Sequence, residues 1–343
     1  MTNYLITGGA GFIGANYIRL LFQKEPDTIV VNLDALTYAG NINNLGKINN
    51  YPNYHFYEGD INDSILVEKL LSFYDIEKVV NFAAETHVDN SINAPQIFVE
   101  TNVLGTFTLL SECRKYYEQL KGEQKDNFRF LHISTDEVYG ALDHDDPKFN
   151  ETTRYSPHSP YAASKAGSDH LVQSYHDTYG LPTIITHSCN NYGPNQHYEK
   201  LIPKVINNII LEKPIPIYGD GKQVRDWIYV EDHCEAVYTI LHKGKIGEVY
   251  AISANEEHTN IEIVKLICKL CDDTIENKRI FSENLICFVT DRLGHDFRYA
   301  VDASKLRNEL GWQPRVSFNE GMKKTVLWYL RNYCQILENG GKK

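Results

Sequence analysis

A short apolar run, Tyr4-Leu5-Ile6-Thr7, leads without a break into Gly8-Gly9-Ala10-Gly11-Phe12-Ile13-Gly14 and then into a helical pattern reaching about Lys24. Few stretches restrict a fold so much. A strand that ends in three spaced glycines and restarts as a helix can turn tightly at Gly8, let a ligand approach at Gly11, and pack helix on strand at Gly14. The helix N-terminus then offers unpaired N–H groups to a pyrophosphate. The spacing is Gly-x-x-Gly-x-x-Gly, so the strand before and the helix after carry more of the inference than the glycines do. The expectation is an α/β protein with a Rossmann-type, doubly wound parallel sheet and a dinucleotide on Gly8, Gly11, Phe12, Ile13 and Gly14.

The strands that follow support that order. The run 28–33 ends in Asp34, about 20 residues past the last glycine, where a carboxylate accepts hydrogen bonds from an adenosine ribose and repels a 2′-phosphate; this favours NAD, the alternative being a simple strand-end turn residue. Residues 54–58 form a third strand ending at Asp60-Ile61, with Asp60 in reach of the adenine. Residues 78–82 form a fourth, followed by Ala83-Ala84, small enough for close cofactor approach, and by His87, a pocket residue or an exposed loop histidine. Helices are expected over about 95–117 and 161–179. The first is apolar on more than one side, through Phe98, Val103, Phe107 and Leu110 among others, which points to a homodimer.

The most chemical stretch is 130–165. An apolar strand, 130–133, stops at Ser134-Thr135-Asp136-Glu137, polar groups at the carboxyl end of a parallel strand, where such folds bind ligands. After a polar loop, Pro160 can open a helix that carries Tyr161 and Lys165 one turn apart. A phenol of pKa about 10 must fall by about 3 units to act as a base near neutrality, roughly 4 kcal/mol. A lysine cation and an oxidised nicotinamide nearby are a perturbation of that size. The spacing alone is weak, because the chain has 23 tyrosines and the pattern recurs at Tyr74/Lys78, Tyr117/Lys121 and Tyr218/Lys222. Position after a strand-end Ser-Thr cluster singles out Tyr161.

A sixth strand is expected over 181–186, and beyond His187 the alternation of strand and helix breaks down. Residues 190–194 and 199–203 read as loop then helix, and 215–227 and 291–299 as turn-rich segments. The expected division is a Rossmann domain over 1–187, with 229–252 returning to it, and a smaller α/β lobe from 188–228 and 253–343 that binds the substrate. The tail after about Asn339 reads as frayed.

Composition bounds the partners. The formal charge of −11 (34 basic against 45 acidic residues) argues against nucleic acid and anionic membranes, so a phosphorylated ligand needs a local basic site. No run approaches a membrane span and the start lacks the regions of a signal peptide, so a cytosolic location is expected. Seven scattered cysteines suit reduced thiols. Cys268 and Cys271 have no second pair to complete a zinc site and read as core residues; no metal is expected.

Taken together, GGAGFIG at 8–14, LDALTYAGN ending at Asn41, AAETHVDNSI at 83–92, STDEVYG at 134–140, YAASK at 161–165, NNYGP at 190–194, EKLIP at 199–203, YGDG and RDW within 218–227, and DRLGHDFRY at 291–299 make nearly the whole chain resemble the extended short-chain dehydrogenase/reductase family, and within it the sugar-nucleotide 4,6-dehydratases. The resemblance implies an NAD-dependent lyase that turns a nucleotide-diphosphate sugar into its 4-keto-6-deoxy form, with dTDP-glucose leading and UDP-glucose or UDP-N-acetylglucosamine as alternatives. It implies Tyr161 as base for C4 oxidation, Lys165 as its tuner, Thr135 on the C4 oxygen, Glu137 as base at C5 and Asp136 as acid at the C6 oxygen. It adds Thr101 to the cofactor site, and Asn191, Glu199, Lys200, Leu201, Tyr218, Arg225, Asn260, His295 and Tyr299, besides His87, to the substrate site. The alternative for Arg225 is a salt bridge to Asp226 or Asp232. The chain departs from the family pattern at His187, where arginine is usual, and at Asn90 and Leu293, among others.

Overall fold

The computed structural model describes residues 2–275, 280–292 and 294–332. Leu293 and the tail after Asn339 lie outside the described residues. The strands in chain order are β1 (Asn3–Thr7), β2 (Ile29–Asp34), β3 (Tyr54–Glu58), β4 (Lys78–Asn81), β5 (Arg129–Thr135), β6 (Thr183–Ser188), β7 (Asn190–Tyr192), β8 (Ile215–Tyr218), β9 (Val224–Tyr229), β10 (Val249–Ile252), β11 (Glu257–Thr259), β12 (Ile286–Val289) and β13 (Arg298–Tyr299). Seven of them form one parallel sheet in the order β10-β6-β5-β4-β1-β2-β3.

That order follows from the residues. Leu5, Val31, Val79, Val80, Phe130, Leu131 and Ile184 are buried in strands covered on both faces, so the strands read as continuous apolar runs. Helices Phe12–Lys24 and Val230–Lys243 pack on one face, and Ser64–Phe73, Thr106–Gln119 and Pro160–Tyr179 on the other. The direction of winding reverses between β1 and β4, which opens a crevice at their carboxyl ends.

Over this edge sit two smaller sheets, β11-β9-β13 with β7 beside β9, and β12-β8. They share a second core with helices Leu201–Ile210, Asn260–Thr274 and Phe318–Arg331, in which Cys268 and Cys271 are fully buried. Among the described residues no helix is long and apolar enough to cross a membrane.

Two expectations are corrected. Residues 190–192 are a strand paired with 227–229, not a loop; three residues are too short to show a period. The helix expected over 95–117 is helical but changes to a π-helical stretch at Val99–Gly105. There the helix passes Ile61 closely enough that a Cβ on Gly105 would lie 2.7 Å from Ile61 Cδ1, and the buried Asn102 binds the main chain of Glu85 in both directions (2.9 and 3.0 Å). A π-turn of this kind is a recurrent way of fitting a helix to a site.

Candidate active site

The glycine turn is shaped by contacts that exclude side chains. Gly8 has φ +69° and a Cβ there would lie 2.7 Å from the Ala83 nitrogen, while one on Gly14 would lie 2.4 Å from the Gly8 carbonyl oxygen. The space above is a crevice that opens to solvent. Every residue assigned to the cofactor from sequence lines it: Gly8, Gly11, Phe12, Ile13, Gly14, Asp34, Asp60, Ile61, Ala83, Ala84, Thr101, Tyr161 and Lys165. Asp34 is already engaged, taking the Ala10 N–H on Oδ2 and the Leu36 N–H on Oδ1, both at 2.8 Å. Each oxygen has a second lone-pair direction, so a ribose hydroxyl can still be accepted.

Thr135, Asp136 and Glu137 line the same crevice. Thr135 closes β5 and its hydroxyl caps the one-turn helix Asp136–Tyr139 by accepting the Glu137 N–H at 3.3 Å. Burial raises the Asp136 carboxyl well above its ordinary range, and the neighbouring Glu137 raises it further. Burial also raises Glu137, but Arg225, Arg292 and Lys200 pull it back. Both carboxyls end up raised, Asp136 the more strongly, so the two adjacent acids are held in different fields.

Ser159 caps the helix Pro160–Tyr179 through the Ala162 N–H (3.0 Å), and Pro160 opens it as expected. Lys165 is 3% exposed; its Nζ donates to the Ile133 carbonyl oxygen at 2.8 Å and lies 3.3 Å from His132 Nε2. Burial pulls it down to about 8, with Asp169 acting against the fall. The Tyr161 phenol is pushed well up, chiefly by burial and next by Glu137, with only the Thr135 hydrogen bond lowering it. The Lys165 ammonium is anchored on the Ile133 carbonyl oxygen, and the residue lines the crevice together with Tyr161.

The substrate residues divide. Asn191 and Lys200 line the crevice; His87, Glu199, Leu201, Tyr218, Arg225, Asn260, His295 and Tyr299 stand outside its lining. His87 caps its own short helix, accepting the Asn90 N–H at 3.4 Å, and lies 3.7 Å from Glu199. Leu201 and Asn260 are the first residues of their helices. Arg225 is buried, bonded to the carbonyls of Val224, Asp296 and Phe297 and stacked 4.3 Å above the Tyr299 ring. It does not pair with Asp226, which is bound to Ser253, nor with Asp232, which accepts the N–H groups of Arg315 and Val316. Tyr218 bonds Asp89 at 3.4 Å, and His295 lies 2.6 Å from Asp291.

Sequence reading missed three contributors. Arg292, 3.6 Å from Asp89, joins Arg225 and Lys200 in the field at Glu137, and lay unremarked in the 291–299 motif. Tyr38 lines the crevice and reaches Thr86 (3.2 Å) from the LDALTYAGN run, in which it had been given no role. Asn102 ties Glu85 to Ser164 (2.9 Å), a contact set by the π-helical stretch.

The sheet order, the glycine turn and a tyrosine-lysine helix beside the end of β5 define an extended short-chain dehydrogenase/reductase. More narrowly, the chain belongs to the GDP-mannose 4,6 dehydratase family, whose profile matches residues 5–325. It is 53% identical over 337 residues to a dTDP-glucose 4,6-dehydratase of Xanthomonas campestris pv. campestris, covering 98% of this chain and 95% of that one. The corresponding Haemophilus influenzae protein is 50% identical, over 97% of this chain and 99% of its own. Among solved structures, a Streptomyces venezuelae dTDP-glucose 4,6-dehydratase with NAD and TYD bound superposes with a TM-score of 0.89 at 42% identity, covering 97% of this chain and 98% of that one.

Proposed function

We propose that this protein is a nucleotide-sugar 4,6-dehydratase, a hydro-lyase that uses NAD and converts dTDP-glucose to dTDP-4-keto-6-deoxyglucose. The observation that carries the reading is that Thr135, Asp136, Glu137 and Tyr161 line one crevice with the glycine turn. The residues fit the cofactor: Gly8 and Gly14 permit a tight main-chain turn that a Cβ at either position would break, the small Ala83 and Ala84 line the crevice beside it, and Asp34 stands at the strand end. NAD held there would supply the acceptor for the C4 hydride and its donor to C6, and in its oxidised form would add positive charge near the phenol.

The chain's own groups do the rest. Tyr161 takes the C4 hydroxyl proton while the Thr135 hydroxyl orients the C4 oxygen. Once C4 is a ketone the C5 proton is acidic, and Glu137, the less strongly raised of the two acids, removes it. Asp136, the more strongly raised, gives its proton to the departing C6 oxygen, so water leaves. Arg225, Lys200 and Arg292 supply the positive field for the diphosphate that a chain of net charge −11 otherwise lacks. Asn191, Glu199, Leu201, Tyr218, Asn260, His295, Tyr299 and His87 complete the sugar-nucleotide side. The reading divides the chain into an NAD lobe built on the parallel sheet, to which β10 returns, and a lobe over its edge that holds the nucleotide sugar.

A homodimer in the cytosol belongs to the same reading. Ile97, Val99, Leu104, Phe107 and Tyr179 leave an exposed apolar face on adjacent helices, which a second copy would cover. Light scattering after size exclusion at micromolar concentration would give twice the chain mass; a clean monomer removes the dimer.

Incubation with NAD and each of dTDP-glucose, UDP-glucose and UDP-N-acetylglucosamine tests the activity. The product of dTDP-glucose should be lighter by one water in its mass spectrum. Dehydration of a UDP sugar alone would overturn the nucleotide assignment.

A further inference from the structure

Behind Lys165, away from the crevice, lies a cluster of buried polar side chains that the reaction above does not use. Asp169 follows Lys165 by one helical turn and is 1% exposed. Its Oδ2 accepts from Ser134 Oγ at 2.9 Å and from the Tyr155 hydroxyl at 3.3 Å, and lies 3.0 Å from His187 Nε2. Its Oδ1 has no hydrogen-bond partner among the described residues, and faces His132 Nε2 at 3.5 Å. That same nitrogen is 3.3 Å from Lys165 Nζ. Asn81 Nδ2, 3.1 Å from His132 Nδ1, and Ser168 Oγ, 3.2 Å from Nε2, hold the ring in place. The imidazole thus stands between a carboxylate and an ammonium that are both out of water.

We propose that His132 and Asp169 are positioning residues for the reaction: the buried carboxylate, acting across the imidazole, keeps Lys165 charged and aimed at the crevice. The argument is one of competing fields. A lysine this deep tends to lose its proton, because burial disfavours the ammonium. The anion that opposes that fall is Asp169. Burial would itself neutralise Asp169, but the hydrogen bond with His187 and the charge of Lys165 bring its carboxyl below the ordinary range. His132 is kept neutral, first by burial and then by Lys165. The other titratable groups around Lys165 and Asp169 are accounted for. Asp136 and Glu137 at the end of β5 face Tyr161 and the arginines, Tyr139 lies 2.6 Å from His187 Nδ1, Tyr155 meets both Asp169 and His187, and the π-helical stretch presents Asn102, which carries no charge.

The inference rests on the reading that Lys165 serves the C4 oxidation. The measurement is the pH profile of the pre-steady-state appearance of reduced nicotinamide, with NAD-loaded protein and dTDP-glucose. Asp169→Asn removes the anion, so the ammonium gives up its proton earlier and the alkaline limb should move to lower pH by about one to two units. Asp169→Glu, which restores the charge, should return the limb toward the wild-type position. A rate lowered equally at every pH, with the limb unmoved, would show that Asp169 only supports the fold and would overturn the proposal. Should Asp169→Asn not fold, His132 decides the matter. His132→Gln can still bridge the pair and should keep the limb, while His132→Leu should move it downward; equal limbs in both would overturn the proposal. Wild-type protein that forms no reduced nicotinamide would instead strike at the proposed function, so the two failures are distinguishable.

Discussion

The two walls of the crevice are made of different material. On the cofactor side the surface is backbone: a glycine turn, two alanines and the carboxyl ends of β1, β2 and β4, with side chains excluded at Gly8 and Gly14. On the sugar-nucleotide side Lys200 lines the crevice, with Arg225 and Arg292 beyond the lining, and all three already have partners. Lys200 Nζ donates to the Thr86 carbonyl oxygen at 2.9 Å, Arg292 reaches Asp89, and Arg225 is spent on three carbonyls. A backbone cradle is complete before its ligand arrives. A wall of paired charges has to exchange partners, and each exchange gives back part of what a charged hydrogen bond gains.

That contrast can be broken at several points. The largest effect is expected where chemistry meets the cradle: Tyr161→Phe should slow C4 oxidation by about 10²–10⁴-fold while NAD binding, followed by fluorescence quenching, stays near wild type. Loss of both together would mean that the phenol holds the cofactor rather than serving the reaction. Next is Gly14→Ala, whose Cβ would lie 2.4 Å from a backbone oxygen that cannot rotate away. About 2 kcal/mol of strain, or roughly thirtyfold in NAD affinity or the equivalent in melting temperature, is expected there. Arg225→Met should raise KM for dTDP-glucose about tenfold with a smaller change in kcat, the signature of uniform binding. An effect on kcat alone would separate Arg225 from the diphosphate. The smallest effect belongs to a decoy: Lys222, in the same Tyr-x-x-x-Lys spacing, is exposed and paired with Asp220, so Lys222→Ala should leave turnover unchanged.

The same contrast explains what could be read from sequence. The cradle was legible because each of its parts is local: glycines next to a strand, Asp34 at the end of the next strand, Tyr161 and Lys165 on one helix face. Arg225 was named, but its environment was not, since two of the three carbonyls it binds belong to Asp296 and Phe297, 71 and 72 positions away. The Asp169 cluster was hidden for a like reason. Ser134 and His187 become neighbours only through the register of β5 on β6, which no periodicity reports. The 190–192 strand was missed because a three-residue pairing is too short to show a period, and the π-helical stretch because seven residues of wider winding inside a longer helix barely shift its apolar spacing.

The central claim is that adjacent carboxyl groups in unlike fields divide the elimination between them. It is tested most directly by Glu137→Gln, loaded with NAD and given dTDP-glucose in deuterated water. The account predicts that reduced nicotinamide still forms, because C4 oxidation needs only Tyr161 and its neighbours, while deuterium no longer enters C5. A variant that oxidises C4 and still exchanges the C5 hydrogen at the wild-type rate would contradict it.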